Sequence, residues 1–577
     1  YAHSSLALPC LASACAGVDG IEPVIREFSI NEPHDETLRR IVAEQADLVA
    51  FSCYIWNIGE TLRLASDLKK VHPGAFIVLG GPESSYGVFD LMERNRAVDC
   101  IVRGEGEETF RECAAALAGR NREEAAAGSL IDICGLTFRA GEDIVATPDR
   151  PPIADLDTIP SPFARGLVDL AKPLVYYETS RGCPFSCAFC MSSLEKGVRS
   201  FSPERIRDDL RLIVAGGART VKLVDRTFNY DSQRANDIWT FILEENRESS
   251  FHFEIAADLL TDENFRLLER VPAGMFRFEI GVQSGNEETL ARVGRRSDLA
   301  RVGTNVRRLV ATTGVLVHLD LVAGLPGEDY EGFLGSLQQV FDLLPLNNPY
   351  FFVCQPPFVQ VEPLKVLKGS PMRRIAIEED YRFSDTPPYK ILRTPWLSFA
   401  EIGRIEAISR LLDLYCNSGR FTATLAEMAR TAPLSRVFAA LAEFRERRPP
   451  GADRSLVALF EALWDFGREF AAGKGEERLR EALCYDYCRA EYPGGQNLPR
   501  FFPESGAATA KNGPEEKTAE LARRLGIGKE CRVRTFSRRF DRDPRRPRGS
   551  NGGVDLQFVY ISAPGRGLEV RILDTNS

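Results

Sequence analysis

Three cysteines fall within eight residues in Arg181-Gly182-Cys183-Pro184-Phe185-Ser186-Cys187-Ala188-Phe189-Cys190, and no other feature of the chain narrows its fold as much. The run follows an apolar segment, Leu174 to Thr179, that reads as a strand. Thiolates so spaced can wrap one cluster, and thiolate is the ligand that iron–sulfur clusters take. A 4Fe-4S cubane held by three cysteines leaves one iron open, and that iron can chelate a small molecule through an amine and a carboxylate. A structural zinc site needs a fourth ligand, and no His or Cys stands nearby to supply it.

The remaining chain has to support such a loop. Its 577 residues exceed one hydrophobic core and suggest three or four units. Residues 1–118 alternate short apolar runs (Leu48 to Phe51, Phe76 to Leu79, Asp99 to Val102) with amphipathic stretches, the pattern of βαβ units on a parallel sheet. Glycines follow the runs, at the carboxyl ends where ligands bind on such sheets. A doubly wound domain normally opens on a strand, whereas Tyr1 to Leu6 reads as the loop and helix after one. The expectation is that the first strand is absent from this chain.

Residues 119–172 read as a connector, with a hairpin around Leu136 to Ala146 and five prolines between Pro148 and Pro162. Residues 173–375 repeat strand and helix. The expected strands are Leu174 to Thr179, Thr220 to Val224, Phe251 to Ile255, Phe276 to Val282, Val315 to Leu321 and Tyr350 to Val353. They suit a partial (β/α)6 barrel whose active site sits at the strands' C-terminal ends. Residues 376–500 are mainly helical. Residues 501–577 read as a poorly ordered tail with a small strand pair near Asp555 to Ile561 and Leu568 to Leu573. Its arginine run, Arg538 to Arg548, reads as solvated. The fold class is α/β throughout the first two units.

The net charge of −9 gives no global field for nucleic acid or an anionic membrane. No apolar stretch is long enough to span a bilayer, and the first residues lack the basic-then-apolar layout of a secretory signal. The 14 cysteines of so long a chain point to metal or catalysis rather than disulfides, and so to a reducing cytoplasm.

The C-x3-C-x2-C spacing, with Phe189 before its last cysteine, resembles the radical S-adenosylmethionine (SAM) signature. The resemblance implies that Cys183, Cys187 and Cys190 hold a 4Fe-4S cluster and that SAM binds its open iron. Gly281-Val282-Gln283-Ser284 and Arg295 are similar to the family segment on the SAM ribose and carboxylate. Gln283 and Ser284 also stand where a helix cap would. Leu321 belongs to a stretch similar to the adenine side. Many relatives carry Gly-Gly-Glu for the SAM amino group where this chain has Asp225-Arg226-Thr227. Asp225 and Thr227 are the candidates there. Glu254 is a further SAM candidate, and it and Asp320 read equally as barrel-core ion pairs.

The N-terminal unit resembles the Rossmann-like cobalamin domain of one radical SAM class. The matching residues are Ser4 and Ser5, then Gly80, Gly81, Pro82 and Ser84, then Gly104, Glu105 and Gly106. The chain lacks the Asp-x-His-x-x-Gly motif that brings a histidine to cobalt. The loop Ser52-Cys53-Tyr54-Ile55-Trp56-Asn57 is therefore expected on the lower cobalt face, with Tyr54 or Trp56 against it. Together with Trp396-Leu397-Ser398 and Tyr485-Asp486-Tyr487, the domain order is similar to an uncharacterised cobalamin-dependent family over roughly residues 1–500. That resemblance implies reductive SAM cleavage and methylation of an unactivated carbon in a small molecule or peptide. The alternatives are a radical cyclisation or rearrangement, or a cobalamin or SAM sensor. It implies an electron donor of flavodoxin or ferredoxin type, and neither membrane nor nucleic acid as a partner. Cys484 and Cys488 share a helix face and read as buried thiols.

Overall fold

The computed structural model describes residues 5–119, 129–195, 197–344, 358–448, 455–471, 475–494, 498–502, 515–528, 530–545, 552–563 and 567–574. The apolar runs of the N-terminal unit form a parallel sheet, β1 (Leu48–Ser52), β2 (Phe76–Gly80) and β3 (Cys100–Val102), in that order. The helix Ile58–Val71 connects β1 to β2 and buries Leu64, Ala65 and Leu68 beside Ile77. The hairpin expected in the connector forms as β4 (Leu136–Ala140) and β5 (Asp143–Ala146), but it is no free linker. β4 pairs antiparallel with β3, and Leu136 and Phe138 bury with Phe76, Val78 and Val102.

Next come β6 (Val175–Tyr177), the antiparallel ribbon of β7 (Ser180–Cys183) with β8 (Gly197–Ser200), then β9 (Thr220–Leu223), β10 (Ser250–Ile255), β11 (Phe276–Gln283), β12 (Leu316–Ala323) and β13 (Phe358–Pro363). Apart from the ribbon these make one parallel sheet of six strands, ordered β13-β12-β11-β10-β9-β6. The strand expected at Tyr350 to Val353 lies outside the described residues. Strict alternation explains the sheet's two faces. Phe251, Phe253, Phe276 and Phe278 point outward and bury around Trp239 of the helix Ser232–Glu245, with the Trp239 and Phe278 rings 5.4 Å apart. Each such ring contributes about 1.5–3 kcal/mol by leaving water. The alternate positions, His252, Glu254, Arg277, Glu279 and Asp320, face the inner side and are only partly covered.

A parallel partial barrel leaves an open edge at β13, and the C-terminal helices cover it. The helix Phe399–Leu411 runs into a π-helical turn, Leu412–Asn417. Asn417 then bonds β13 as a strand would: its Oδ1 accepts from Val359 N at 2.8 Å and its Nδ2 donates to Val359 O at 2.9 Å. Ser409 Oγ donates to Val361 O at 2.8 Å. A short ribbon, β14 (Arg382–Phe383) with β15 (Ile391–Arg393), precedes these helices. Asp486 of the Tyr485-Asp486-Tyr487 motif is fully buried and accepts from Ala423 N and Thr424 N at the start of the helix Thr422–Met428. Cys484 and Cys488 are buried, and burial pushes the Cys484 thiol up to about 12.

The tail departs from expectation. The strand pair exists, as β17 (Val554–Ser562) and β18 (Glu569–Asp574), but β16 (Arg532–Phe540) makes it a three-stranded antiparallel sheet. Phe536, Phe540, Leu556 and Phe558 bury into the core that also holds the barrel and the helices. The arginines between them had masked this alternation. Arg538 lies over the Phe502 ring at 4.9 Å, its apolar stem covering the surface beneath its charge.

Candidate active site

The cysteine loop is fixed at both ends. Gly182 has φ +91°, and a Cβ there would collide with the Gly197 carbonyl across the β7–β8 ribbon, so only glycine fits between Arg181 and Cys183. Asp225, fully buried past the end of β9, accepts from Thr179 N at 3.0 Å and from the hydroxyls of Thr179 and Ser180 at 2.5 Å. Farther along, Ala188 N donates to Val293 O at 2.8 Å, and Ala188 O accepts from Met372 N at 2.9 Å.

The thiols sit in a cationic, hydroxyl-bearing setting. Cys183 Sγ lies 3.4 Å from Thr227 Oγ1, and Arg295 Nη1 lies 3.7 Å from Cys187 Sγ. Burial raises the Cys187 thiol, and the Arg295 charge opposes that rise. Arg295 also bonds the Gly281 carbonyl, while its Nε is buried without a partner. Among the described residues only His252, Glu279 and His318 bring three ligand atoms within 4.8 Å of one another. The three cysteine sulfurs stand wider apart than a single ion requires, and a multi-iron cluster suits that spread better than zinc.

Other expected SAM residues divide into those facing the site and those supporting it. Gln283 adopts φ +69° at a bulge against β12, and its Oε1 is buried without a hydrogen bond. A strained non-glycine residue with an orphan acceptor at a strand end is a mark of a binding position. Ser284 is fully buried and donates to Glu328 Oε1 at 2.6 Å. The cap of the helix Glu287–Arg292 is neither of these two but Asn286, whose Oδ1 accepts from Glu288 N at 2.9 Å. Leu321 points into the outer core, and Phe189 packs against that core. Asp225 has spent its oxygens on the loop, so Thr227 is the member of that pair that stands by Cys183. Glu254 and Asp320 enter ion pairs, with Lys222 at 3.6 Å and His318 at 2.9 Å. Burial pushes the Glu254 carboxyl up to about 7.

In the N-terminal sheet the glycine-marked strand ends form a cradle. A Cβ on Gly81, φ +108°, would lie 2.6 Å from Cys53 O. Asn57 closes the loop after β1: it accepts from Tyr54 N at 2.7 Å and donates to Ser52 O at 2.8 Å. That closure stacks Tyr54 on Trp56, rings 4.5 Å apart and 4° from parallel. Ser84 is buried against the Gly81 carbonyl, and Gly104 N reaches Ser85 Oγ at 3.4 Å. Ser5 Oγ accepts from Leu8 N, while Ser4 lies outside the described residues. Glu105 turns toward the barrel instead. Its carboxylate takes Arg199 at 2.8 Å, Arg181 at 3.2 Å and Ile153 N at 2.6 Å. Gly106 opens the helix that follows, where a Cβ would stand 3.0 Å from Leu11.

One cavity of about 2640 Å³ joins the two halves. Ser52, Tyr54, Trp56, Gly81, Pro82 and Gly104 line it from the N-terminal sheet, and Tyr176, Gly182, Met191, Lys222, Arg226 and Glu254 from the barrel. Pockets for one small ligand are roughly 300–1,000 Å³, so this one has room for more than one large molecule. Among the described residues that line it there is no histidine, and His3 lies outside the described residues. The inner-wall cluster of Lys222, His252, Glu279 and His318 was not singled out from sequence. The signal was present as period-two polar residues between the phenylalanines of β10 and β11.

Three family models match the chain. A B12 binding domain covers residues 1–114, the radical SAM superfamily residues 177–340, and a protein of unknown function (DUF4080) residues 378–529. Among curated proteins, the cobalamin-dependent radical SAM methyltransferase TokK of Streptomyces tokunonensis is 25% identical over 366 residues, which cover 58% of this chain and 52% of that protein. An anaerobic magnesium-protoporphyrin IX monomethyl ester cyclase of Synechocystis sp. is 30% identical over 294 residues, 48% of this chain and 56% of that protein. The chain spans about half the length of the first curated relatives it matches. The fold is similar to that of TsrM from Kitasatospora setae, solved with cobalamin and a 4Fe-4S cluster bound. The TM-score is 0.55 at 16% identity, over 76% of this chain and 94% of that one. The radical SAM domain implies a 4Fe-4S cluster and SAM, and the B12 domain implies cobalamin. The residues present fit all three: a wide cysteine triad, an orphan acceptor at Gln283, and a glycine cradle beside a stacked aromatic pair.

Proposed function

We propose that this chain, which joins a B12-binding domain to a radical SAM domain and a C-terminal domain of unknown function, is a cobalamin-dependent radical SAM enzyme that methylates an unactivated carbon of a small molecule or peptide. The observation that carries this reading is the one cavity lined by the glycine cradle, by Gly182 and Met191 on either side of the cysteine loop, and by Lys222 and Glu254 of the barrel's inner wall. When bound, the cluster supplies the electron that opens a carbon–sulfur bond of SAM, and cobalamin supplies a carrier for the methyl group.

The chain's own residues orient and shield. Cys183, Cys187 and Cys190 would hold the cluster, and Arg295 would offset the charge of Cys187. Gln283 Oε1 offers SAM an acceptor that no other described residue satisfies. Thr227 sets a hydroxyl beside Cys183. Tyr54 and Trp56 present a flat apolar surface that would lie against cobalamin, and no histidine is found among the described residues lining the cavity. Among the described residues no helix is long and apolar enough to cross a membrane. The reading includes a cytoplasmic setting, an external electron donor of flavodoxin or ferredoxin type, and no nucleic-acid partner.

Similarity to the Synechocystis cyclase supports a second reading, radical cyclisation without net methyl transfer. Anaerobic reconstitution tests both. Iron, sulfide and cobalt are counted, then SAM products are followed under a chemical reductant. Wild type should release 5′-deoxyadenosine and Cys187→Ala should not. S-adenosylhomocysteine formed alongside it supports methylation, and its absence during turnover supports cyclisation. Full SAM cleavage by Cys187→Ala would sink both.

A further inference from the structure

The inner wall of the parallel sheet carries a constellation that the cysteine loop does not use. His252 on β10, Glu279 on β11 and His318 on β12 occupy inward positions on three adjacent strands, with Glu279 level with His318 in the ladder. Their ligand atoms all lie within 4.8 Å of one another. His252 Nε2 is 2.9 Å from Glu279 Oε2. His318 Nε2 is 2.9 Å from Asp320 Oδ1 and 3.1 Å from Gln360 Oε1. Two of these atoms, His252 Nε2 and Asp320 Oδ1, are buried without a well-formed hydrogen bond. Buried polar atoms are rarely left so. A proton between them satisfies one lone pair, whereas a cation satisfies several at once.

We propose that His252, Glu279 and His318 bind a divalent transition-metal ion, zinc being the simplest case, separate from the cluster cysteines. Two imidazoles and one carboxylate are a set that such ions accept, at about 2.0–2.2 Å each. Asp320 and Gln360 add oxygen ligands or hold the His318 ring, which Phe358 already pins edge-on at 4.5 Å. Lys222 is the nearest competitor, its Nζ 2.8 Å from Glu279 Oε2. The same ammonium stands 3.6 Å from Glu254 Oε1, so it has a second seat when an ion takes the first. Lys222 and Glu254 both line the large cavity, which gives an ion its way in. This site does not depend on the activity proposed above.

Zinc itself is the probe. The full chain, with cluster and cobalamin loaded, is given one equivalent of zinc and desalted, and zinc is measured by mass spectrometry and X-ray absorption. The expected result is retained zinc with a nitrogen and oxygen shell, imidazole scattering and no sulfur near 2.3 Å. His252→Ala and His318→Ala should lose that zinc while keeping wild-type cluster iron and its electron paramagnetic resonance signal, which shows the barrel is folded. Lys222→Met, which removes the competing charge, should bind zinc about tenfold more tightly. The proposal fails if wild type and Lys222→Met retain no zinc. It fails equally if the bound zinc carries sulfur, or if both histidine variants keep it. Because the cluster signal is read in the same samples, failure here is distinct from failure of the radical SAM reading.

Discussion

Arg181 Nη2 and Glu107 Oε1 meet at 2.5 Å, joining the residue two before Cys183, the first of the three cysteines, to the helix that follows β3 of the N-terminal sheet. The same guanidinium reaches Glu105 at 3.2 Å and Glu178 at 3.0 Å. Arg199, on the strand paired with the cysteine loop, adds a second link to Glu105 at 2.8 Å. Two acidic residues of one unit thus grip both strands of the ribbon that presents the cysteines.

Removing Arg181 leaves three carboxylates facing one another in a largely dry place. Breaking such a buried arrangement by deleting one partner costs about 3–5 kcal/mol. Arg181→Met is expected to lower stability on that scale in urea unfolding, and Arg181→Lys by less, since it keeps the charge but not the fork. The pH dependence carries a sign. Burial raises the Glu178 carboxyl from 4.5 to about 6 even with Arg181 present. A group whose folded value is raised contributes stability below its unfolded value that is lost as pH rises through the folded one. The wild-type contribution of Glu178 therefore falls between roughly pH 4.5 and 6. Without Arg181 the window shifts upward. The deficit of Arg181→Met should be smaller at pH 5 than at pH 8, and an equal deficit at both would count against this account.

Much of this was legible in the chain before any coordinates. The cysteine run, the glycine-marked strand ends and the period-two phenylalanines are local patterns, and local patterns survive in sequence. Glu105 shows what does not. It lines the shared cavity, as a cofactor contact would, but its partners Arg181 and Arg199 lie 76 and 94 positions away, and no spacing rule connects them. The packing role of Asp225 was hidden in the same way. It occupies a ligand position in the family template, and only tertiary packing shows its oxygens already spent on Thr179 and Ser180. Of the tail sheet only β16 was missed, because arginines stand among its buried phenylalanines and read as solvated charge.

Asp225 and Thr227 should consequently separate in experiment. Asp225→Ala strands three donors in a fully buried place, and an unsatisfied buried donor costs about 1–3 kcal/mol. Its midpoint in urea should drop by more than any single lost hydrogen bond explains, and iron retained after reconstitution should fall with it. Thr227→Val keeps the shape and should retain iron and stability. It should weaken SAM binding, read from the shift that SAM causes in the reduced cluster's electron paramagnetic resonance spectrum. Wild-type iron and stability in Asp225→Ala would reverse the assignment.

Asn417 provides a test of why the domain of unknown function is there. Its amide completes the ladder at the open edge of β13 through both Val359 N and Val359 O. Asn417→Ala leaves that pair without protein partners and should cost about 1–3 kcal/mol. Hydrogen exchange should rise locally at residues 358–361 while β10 and β11, deep in the sheet, keep their protection. Uniform loss of protection across the sheet would mean that the helices act as a general brace rather than as an edge cap.

The aromatic pair Tyr54 and Trp56 is the most direct handle on the cobalt chemistry. Trp56 is 52% exposed, so its side chain contributes little to folding, yet it lies stacked on Tyr54 inside the shared cavity. An aromatic held this way without packing demand is available to a flat ligand, and stacking of this kind contributes about 0.5–1.5 kcal/mol. Trp56→Ala should leave urea unfolding of the ligand-free chain unchanged within about 0.5 kcal/mol. It should weaken cobalamin binding several-fold to tenfold, measured by equilibrium dialysis. The cobalt(II) form of wild type should give an electron paramagnetic resonance spectrum without nitrogen splitting from an axial ligand. Two outcomes oppose the assignment of this face: nitrogen splitting in wild type, which would place an imidazole on cobalt, or unchanged cobalamin affinity in both Trp56→Ala and Tyr54→Ala.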